Sequence, residues 1–244
     1  MSRCLLIAEL ATNHGGDLAL ATEMITTAAN AGADIVKTQG YQIAHLKRSD
    51  PQYDWMRQCE LVEADHVMLK AHAERCGVEY LSTAYRVGDL SLLKRAGLTA
   101  VKIGSGEGLR FMQPAIDAGF TRIYVSLPWG RPAQPFLGVN RGDGEAAAVT
   151  VFSTVPLYPM PPECFSHCVK HEAWSDHAIG IDVAKMAIAR GATHVEKHFH
   201  LVGKGCREQP WNMTPEELSE LVLWSKLCAQ AIDGTKYEGR WQHA

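Results

Sequence analysis

His177 and His198 end two short polar runs, Ser175-Asp176-His177 and Glu196-Lys197-His198, and the stretch between them spaces its apolar residues as a helix does before stopping on Gly191. That pattern predicts a strand, a helix and a second strand, with the two strands parallel and open at their C-terminal ends on the same side. Both imidazoles then face one small cavity, and two imidazoles beside acids suit a divalent cation. Lys37 interrupts the apolar run Asp34-Ile35-Val36-Lys37, and Lys102 interrupts Ala100-Val101-Lys102-Ile103. An ammonium in the middle of a buried strand is costly unless it meets an anion. Together with hydroxyls at strand ends, these lysines suit a phosphate. Glu9 is the lone acid in another apolar run, Cys4 to Leu10. Simpler readings stand beside these. Each histidine is then a satisfied polar residue, each lysine a core cation paired with Glu9 or Glu107, each hydroxyl a partner for backbone groups, and Asn13-His14 a turn.

Bringing these residues together takes a repeated unit, and the chain alternates strand and helix patterns along its length. Strand-like runs occupy Cys4 to Leu10, Asp34 to Gly40, Val78 to Tyr85, Ala100 to Glu107, Arg122 to Pro128 and Ala148 to Thr154, ahead of the two already described. Helical patterns follow Asp17, a capping residue, and run from Asp65 to Gly77, Gly88 to Gly97, Leu109 to Gly119 and onward from Pro161-Pro162-Glu163. A last long helix opens with the capping box Thr214-Pro215-Glu216-Glu217 and extends to Gly234. Tyr41 to Asp65 shows no period and reads as a long loop covering a site. Pro128 to Glu145 holds three prolines and four glycines, so the outer helix expected around residues 130–147 is degraded or missing. Eight strands and about seven helices predict an α/β fold, a (β/α)8 TIM barrel forming one catalytic domain over residues 1–244, with its chemistry at the C-terminal strand ends. An open doubly wound sheet is the alternative. Neither GxGxxG nor GxxxxGK[ST] occurs, so dinucleotide and P-loop nucleotide binding lack support.

Composition narrows the function further. The 244 residues are 46% hydrophobic, with a formal charge of -3 and an isoelectric point near 6.4. That size buries a large core, and no basic surplus points to nucleic acid. No apolar run reaches the roughly 18 residues a membrane helix needs, and the N-terminal run is too short for a signal peptide, so we expect a soluble, cytoplasmic protein with its seven cysteines reduced. Cys164, His167, Cys168 and His171 fall at i, i+3, i+4 and i+7, but four ligands strung along one helix face cannot all reach one tetrahedral ion.

With its runs in this order, the chain resembles the sialic acid synthase family, which makes N-acetylneuraminic, legionaminic and pseudaminic acids. The resemblance rests on Ile7 to Asp17, Ala31 to Gln39, Tyr80 to Thr83, Val101 to Glu107, Leu157 to Pro161, Trp174 to His177 and Glu196 to Phe199, seven segments in order across nearly the whole chain. It implies a (β/α)8 barrel that condenses phosphoenolpyruvate with an amino sugar aldehyde, releases phosphate, and uses a divalent metal, Mn2+ or Mg2+. By the same resemblance His177 and His198 are the metal ligands. Lys37, Thr83, Lys102, Ser105, Ser126 and Ser175 hold phosphoenolpyruvate, and Glu9 and Glu107 are the catalytic acids. Asn13, Gln39 and Tyr158 are the remaining substrate-binding candidates. The residue chemistry agrees, since a small polyanion needs buried lysines, hydroxyls and backbone donors.

Four departures from the family pattern concern the acceptor. The chain stops about ten residues after the last helix, short of an antifreeze-protein-like domain that supplies an arginine to the sugar across a dimer. We therefore expect a barrel-only homodimer, a monomer, or a separate partner chain completing the site. The Ser-Thr-Gly-Met after the fifth strand is replaced by Ser126-Leu127-Pro128-Trp129-Gly130, and Pro156 stands at a polar position before Tyr158. A Gly-Pro-Asp loop is replaced by Cys206-Arg207-Glu208, which makes Glu208 a candidate for the missing acid and Arg207 for the missing arginine. The expected acceptor is thus an aldehyde or sugar that need not be N-acetylmannosamine. The rival readings are a metal-dependent lyase or phosphatase acting on a phosphorylated keto acid, and a catalytically silent barrel serving as a binding module.

Overall fold

A computed structural model of the chain describes residues 3–106, 108–128, 147–167 and 172–232. Eight parallel strands close into a barrel in sequence order: β1 (Leu5–Ala11), β2 (Ile35–Gly40), β3 (Glu79–Ala84), β4 (Ala100–Ile103), β5 (Arg122–Pro128), β6 (Ala148–Thr154), β7 (Ala173–Asp176) and β8 (His194–His198). The helices are α1 (Leu18–Asn30) after β1, α2 (Tyr53–Gln58) and α3 (Glu63–Arg75) after β2, and α4 (Val87–Arg95) after β3. Then come α5 (Gly108–Asp117) after β4, α6 (Asp182–Ala189) between β7 and β8, and α7 (Pro215–Ile232) after β8. The (β/α)8 barrel expected from the alternation is therefore present. The expectation of a degraded helix at 130–147 falls outside the described residues except for Ala147, buried just before β6, and Cys168 and His171 also lie outside them.

Two local expectations need correction. The segment opened by Pro161-Pro162 is a 3-10 helix, Pro162–His167, rather than an α-helix. Two adjacent prolines withhold two N–H donors, and the turn closes by the tighter i to i+3 bond from Cys164 N to the Pro161 carbonyl at 3.0 Å. Tyr41 to Asp65 is not a plain loop, since it contains a 3-10 turn (Ile43–His45) and α2, and α3 begins inside it. Side chains hold this segment where hydrophobic period does not. The Tyr41 hydroxyl donates to the Met56 carbonyl at 2.7 Å, Glu60 accepts from Ile43 N at 2.9 Å, and Asp65 accepts from Val62 N at 2.9 Å to cap α3.

Side chains on a strand alternate between the barrel interior and the helix layer. The interior is plugged by Ile7, Ile35, Leu81, Ala100, Tyr124, Phe152 and Ala173, a buried cluster separate from the larger apolar layer under the helices. His194 caps this plug, with ring centroids 5.8 Å from Tyr124 and 6.1 Å from Phe152. One alternating pair carries charge. Lys197, 1% exposed, donates to Asp176 at 2.8 Å and to the Ala178 carbonyl at 2.7 Å, tying β7 to β8. Asp176→Ala strands that ammonium in the core, so we expect a stability loss of about 3–5 kcal/mol, read as a lower urea midpoint.

Candidate active site

One alternation step beyond the plug, toward the C-terminal ends, every strand turns a polar side chain inward: Glu9, Lys37, Thr83, Lys102, Ser126, Thr154, Ser175 and Glu196. At the next level stand Gln39, Tyr85, His177 and His198, and with Gly104, Ser105 and Tyr158 they complete a cavity of about 130 Å³. The apolar plug forms its floor, so a polar ligand can enter only from the C-terminal face.

Glu196 is the pivot of the ring. Its carboxylate accepts from Lys102 at 2.8 Å and from the Ser175 hydroxyl at 3.0 Å, and the Lys37 ammonium lies 3.6 Å away. Burial would raise this carboxyl, but Lys102 and then Lys37 outweigh it and hold it well below the usual range. Lys37 also donates to Thr83 at 2.8 Å and contacts Glu9 directly. For Glu9 the balance tips the other way, because burial pushes its carboxyl up against the pull of Lys37, with Glu196 adding to the rise. The second Glu9 oxygen accepts from Ala11 N at 2.7 Å across a bulge between β1 and β2, where Ala11 takes a left-handed φ of 48°. The bulge bends the end of β1 so that the carboxylate closes onto its own backbone. Lys102 sits 3.6 Å above the centre of the Phe152 ring. Burial lowers its ammonium to about 8, against the opposing pull of Glu196.

Above the ring, His177 and His198 have centroids 5.6 Å apart, with Tyr158 4.0 Å from the first and 5.9 Å from the second. His177 Nδ1 lies 2.9 Å from the Val155 carbonyl, so this nitrogen carries the proton and Nε2 keeps its lone pair. His198 Nδ1 is buried without a hydrogen-bond partner. Burial depresses both imidazoles, and for His198 the neighbouring His177 and Lys37 add to it, so both rings are neutral. Two neutral imidazoles fit part of a cation's shell. Among the described residues no three His, Cys, Asp or Glu side chains gather to complete one.

Thus Glu9, Lys37, Gln39, Thr83, Lys102, Ser105, Ser126, Tyr158, Ser175, His177 and His198 all meet at one cavity. Three candidates do not line it. Asn13 is buried behind the site, donating to the Phe199 carbonyl at 2.9 Å, while its neighbour His14 accepts from Gly16 N at 3.1 Å in a turn. Arg207 lies with its guanidinium 5.2 Å over the Trp55 ring and its N–H on the Asn13 carbonyl at 2.9 Å. Glu208 is exposed and accepts from Gly203 N at 2.9 Å. Glu107 lies outside the described residues. Glu196, Thr154 and Tyr85 line the cavity although the sequence reading gave them no role; the alternation counted from Phe152 and Leu81 would have found Thr154 and Tyr85, whereas Glu196 sits on β8, in register with Ser175.

The family model of the NeuB family matches residues 24–113 and 156–237 of this chain. The N,N'-diacetyllegionaminic acid synthases of Campylobacter jejuni and Legionella pneumophila are each 28% identical to it. The matches cover 97% and 90% of this chain, and 80% and 70% of the relatives. Among solved structures, the N-acetylneuraminic acid (sialic acid) synthetase of Leptospira borgpetersenii superposes with a TM-score of 0.83 at 24% identity, over 98% of this chain and 88% of that one. That likeness is one of fold.

Proposed function

The chain belongs to the NeuB family, and we propose that it is a synthase joining phosphoenolpyruvate to a sugar aldehyde, with release of phosphate and formation of a 2-keto sugar acid. The observation that carries this reading is the ring of two ammonium groups, two carboxylates and four hydroxyls at a single level of the barrel, beneath two neutral imidazoles. A small polyanion needs that donor set, and the plug leaves it room for little else. In this reading Lys37, Lys102, Thr83, Ser126, Thr154 and Ser175 bind the carboxylate and phosphate. His177 and His198 would hold Mn2+ or Mg2+, which when bound supplies Lewis-acid polarisation of the aldehyde oxygen. The C3 carbon of phosphoenolpyruvate forms a bond to the aldehyde carbon, leaving C2 cationic. Water adds at C2 and yields one proton to Glu9, and the tetrahedral centre then gives up its hydroxyl proton as its C–O bond to phosphate breaks, becoming the ketone as phosphate leaves, while the former aldehyde oxygen takes up a proton and ends as a hydroxyl. The protein works in the cytoplasm, where phosphoenolpyruvate is available. Among the described residues no helix is long and apolar enough to cross a membrane.

The test is phosphate release from phosphoenolpyruvate with Mn2+ across a panel of amino sugars and simple aldoses. We expect aldehyde-dependent release, reduced at least about a hundredfold in His198→Ala. Release without any aldehyde would favour a phosphatase. Absence of phosphoenolpyruvate binding would overturn the reading.

A further inference from the structure

A small cavity of about 40 Å³ lies behind the active-site ring, between β6, β7 and the C-terminal end of α6. Ser153 and Trp174, paired across β6 and β7, line it. The residues that follow them, Thr154 and Ser175, line the ring, so by strand alternation one thickness of sheet separates the two spaces. Two polar groups on this wall are unspent. Ser153 is 4% exposed and Trp174 2%, yet neither the serine hydroxyl nor the indole N–H meets a hydrogen-bond partner among the described residues. Buried donors left in that state are costly, and two on one small cavity point to an acceptor lodged there. Arg190 supplies a third donor group from the end of α6. Its guanidinium lies 4.8 Å over the Phe165 ring, and Phe165 meets Trp174 edge-on with centroids 5.1 Å apart, so one ring locates both the guanidinium and the indole. Stacking on an aromatic face leaves the N–H edge of a guanidinium available. Among the described residues no acidic side chain lines the cavity.

An indole N–H and a guanidinium can only donate, and the serine hydroxyl can join them. Water would bring two protons of its own, and among the side chains of the wall only the serine oxygen could receive one. An anion accepts from all three groups. At about 10–15 Å³ for each water-sized atom, the space admits roughly three non-hydrogen atoms, which is the size of a carboxylate and too small for a phosphate. The C-terminal dipole of α6, equivalent to roughly half a negative charge, opposes an anion less than the full charge of Arg190 favours it. We infer that this cavity binds the carboxylate of a small free acid, with Ser153 and Trp174 on the sheet side and the exposed Arg190 on the solvent side. A Cβ on Gly191 would meet nothing within 4 Å, so the space past this residue is open to the remainder of the acid. The bound carboxylate ties β6, β7 and α6 together directly behind Thr154 and Ser175, and the site stands independently of the reaction proposed for the ring.

The experiment follows the assigned indole N–H of Trp174 by nitrogen–proton correlation NMR while formate, its neutral isostere formamide, or chloride is added to the whole protein. Formate should move this resonance saturably with a Kd of about 1–10 mM, while formamide leaves it in place and chloride binds at least about tenfold more weakly. Arg190 is exposed, so Arg190→Gln does not put folding at issue, and it should raise the formate Kd about tenfold or more. Ser153→Ala, which removes one neutral donor, should raise it about threefold. Formate should also raise the melting temperature of the wild type in a concentration-dependent way and leave that of Arg190→Gln unchanged. A formate Kd that is the same in wild type and Arg190→Gln would place the anion elsewhere, for instance at the ring, and overturn the inference. Formamide binding as well as formate would show a neutral occupant, and chloride binding as tightly would show a site for charge without carboxylate geometry. Either result overturns the assignment, as does the absence of any saturable shift.

Discussion

Lys102→Met should lower kcat/KM for phosphoenolpyruvate about a thousandfold, almost entirely through weaker binding of that substrate. The buried ring holds two ammonium groups, Lys37 and Lys102, and two carboxylates, Glu9 and Glu196, whose formal charges cancel. Methionine keeps the length of the stem over Phe152 but removes one positive charge, so the cavity becomes net negative where a polyanion must bind. Glu196 then keeps only Ser175 at 3.0 Å and Lys37 at 3.6 Å, and Lys37 is shared with Glu9. Arginine is expected to restore little, because its planar fork does not fit a site built around a point charge 2.8 Å from one carboxylate oxygen. Isothermal calorimetry on wild type and variant checks this. A phosphoenolpyruvate Kd within about threefold of wild type would show that Lys102 is only the counter-ion of Glu196.

The sequence makes Lys37 and Lys102 conspicuous and leaves their partner Glu196 obscure, and the difference lies in contrast. On β2 and β4 a lysine breaks an apolar run, so its inward placement can be read from the alternation. On β8 the run His194-Val195-Glu196-Lys197-His198 is polar on both sides, because Lys197 is buried as well, against Asp176 in the helix layer. With charge on both faces, no contrast reveals which residues point inward. The barrel itself was legible because each strand and helix carries its own period and stop signal. The segment between β2 and α3 was not, since its turns depend on single side-chain bonds such as Tyr41 to the Met56 carbonyl. Arg207 and Glu208 follow the same rule. They sit in a loop without period, and only coordinates reveal that one stacks on Trp55 and the other closes on Gly203 N, away from the cavity.

Glu9→Gln separates catalysis from binding in the opposite sense to Lys102→Met. Glutamine retains an oxygen for the Ala11 N–H and so preserves the bulge at the end of β1. It removes one negative charge, which leaves the ring net positive, and phosphoenolpyruvate should bind as tightly as to wild type or more tightly. What the variant lacks is a base. Burial already raises the Glu9 carboxyl toward the range in which it takes a proton near neutral pH, whereas Glu196 is held far below that range by its two lysines. Of the two carboxylates in the ring, Glu9 is therefore the one suited to accept the proton lost by water as it adds to C2. The expected result is a fall in kcat of about 10²–10⁴ with KM for phosphoenolpyruvate unchanged or lower. If Glu9 served only to neutralise Lys37, the same variant would shift phosphoenolpyruvate affinity and leave kcat within a few-fold of wild type, so steady-state kinetics on this one protein decides between the two roles.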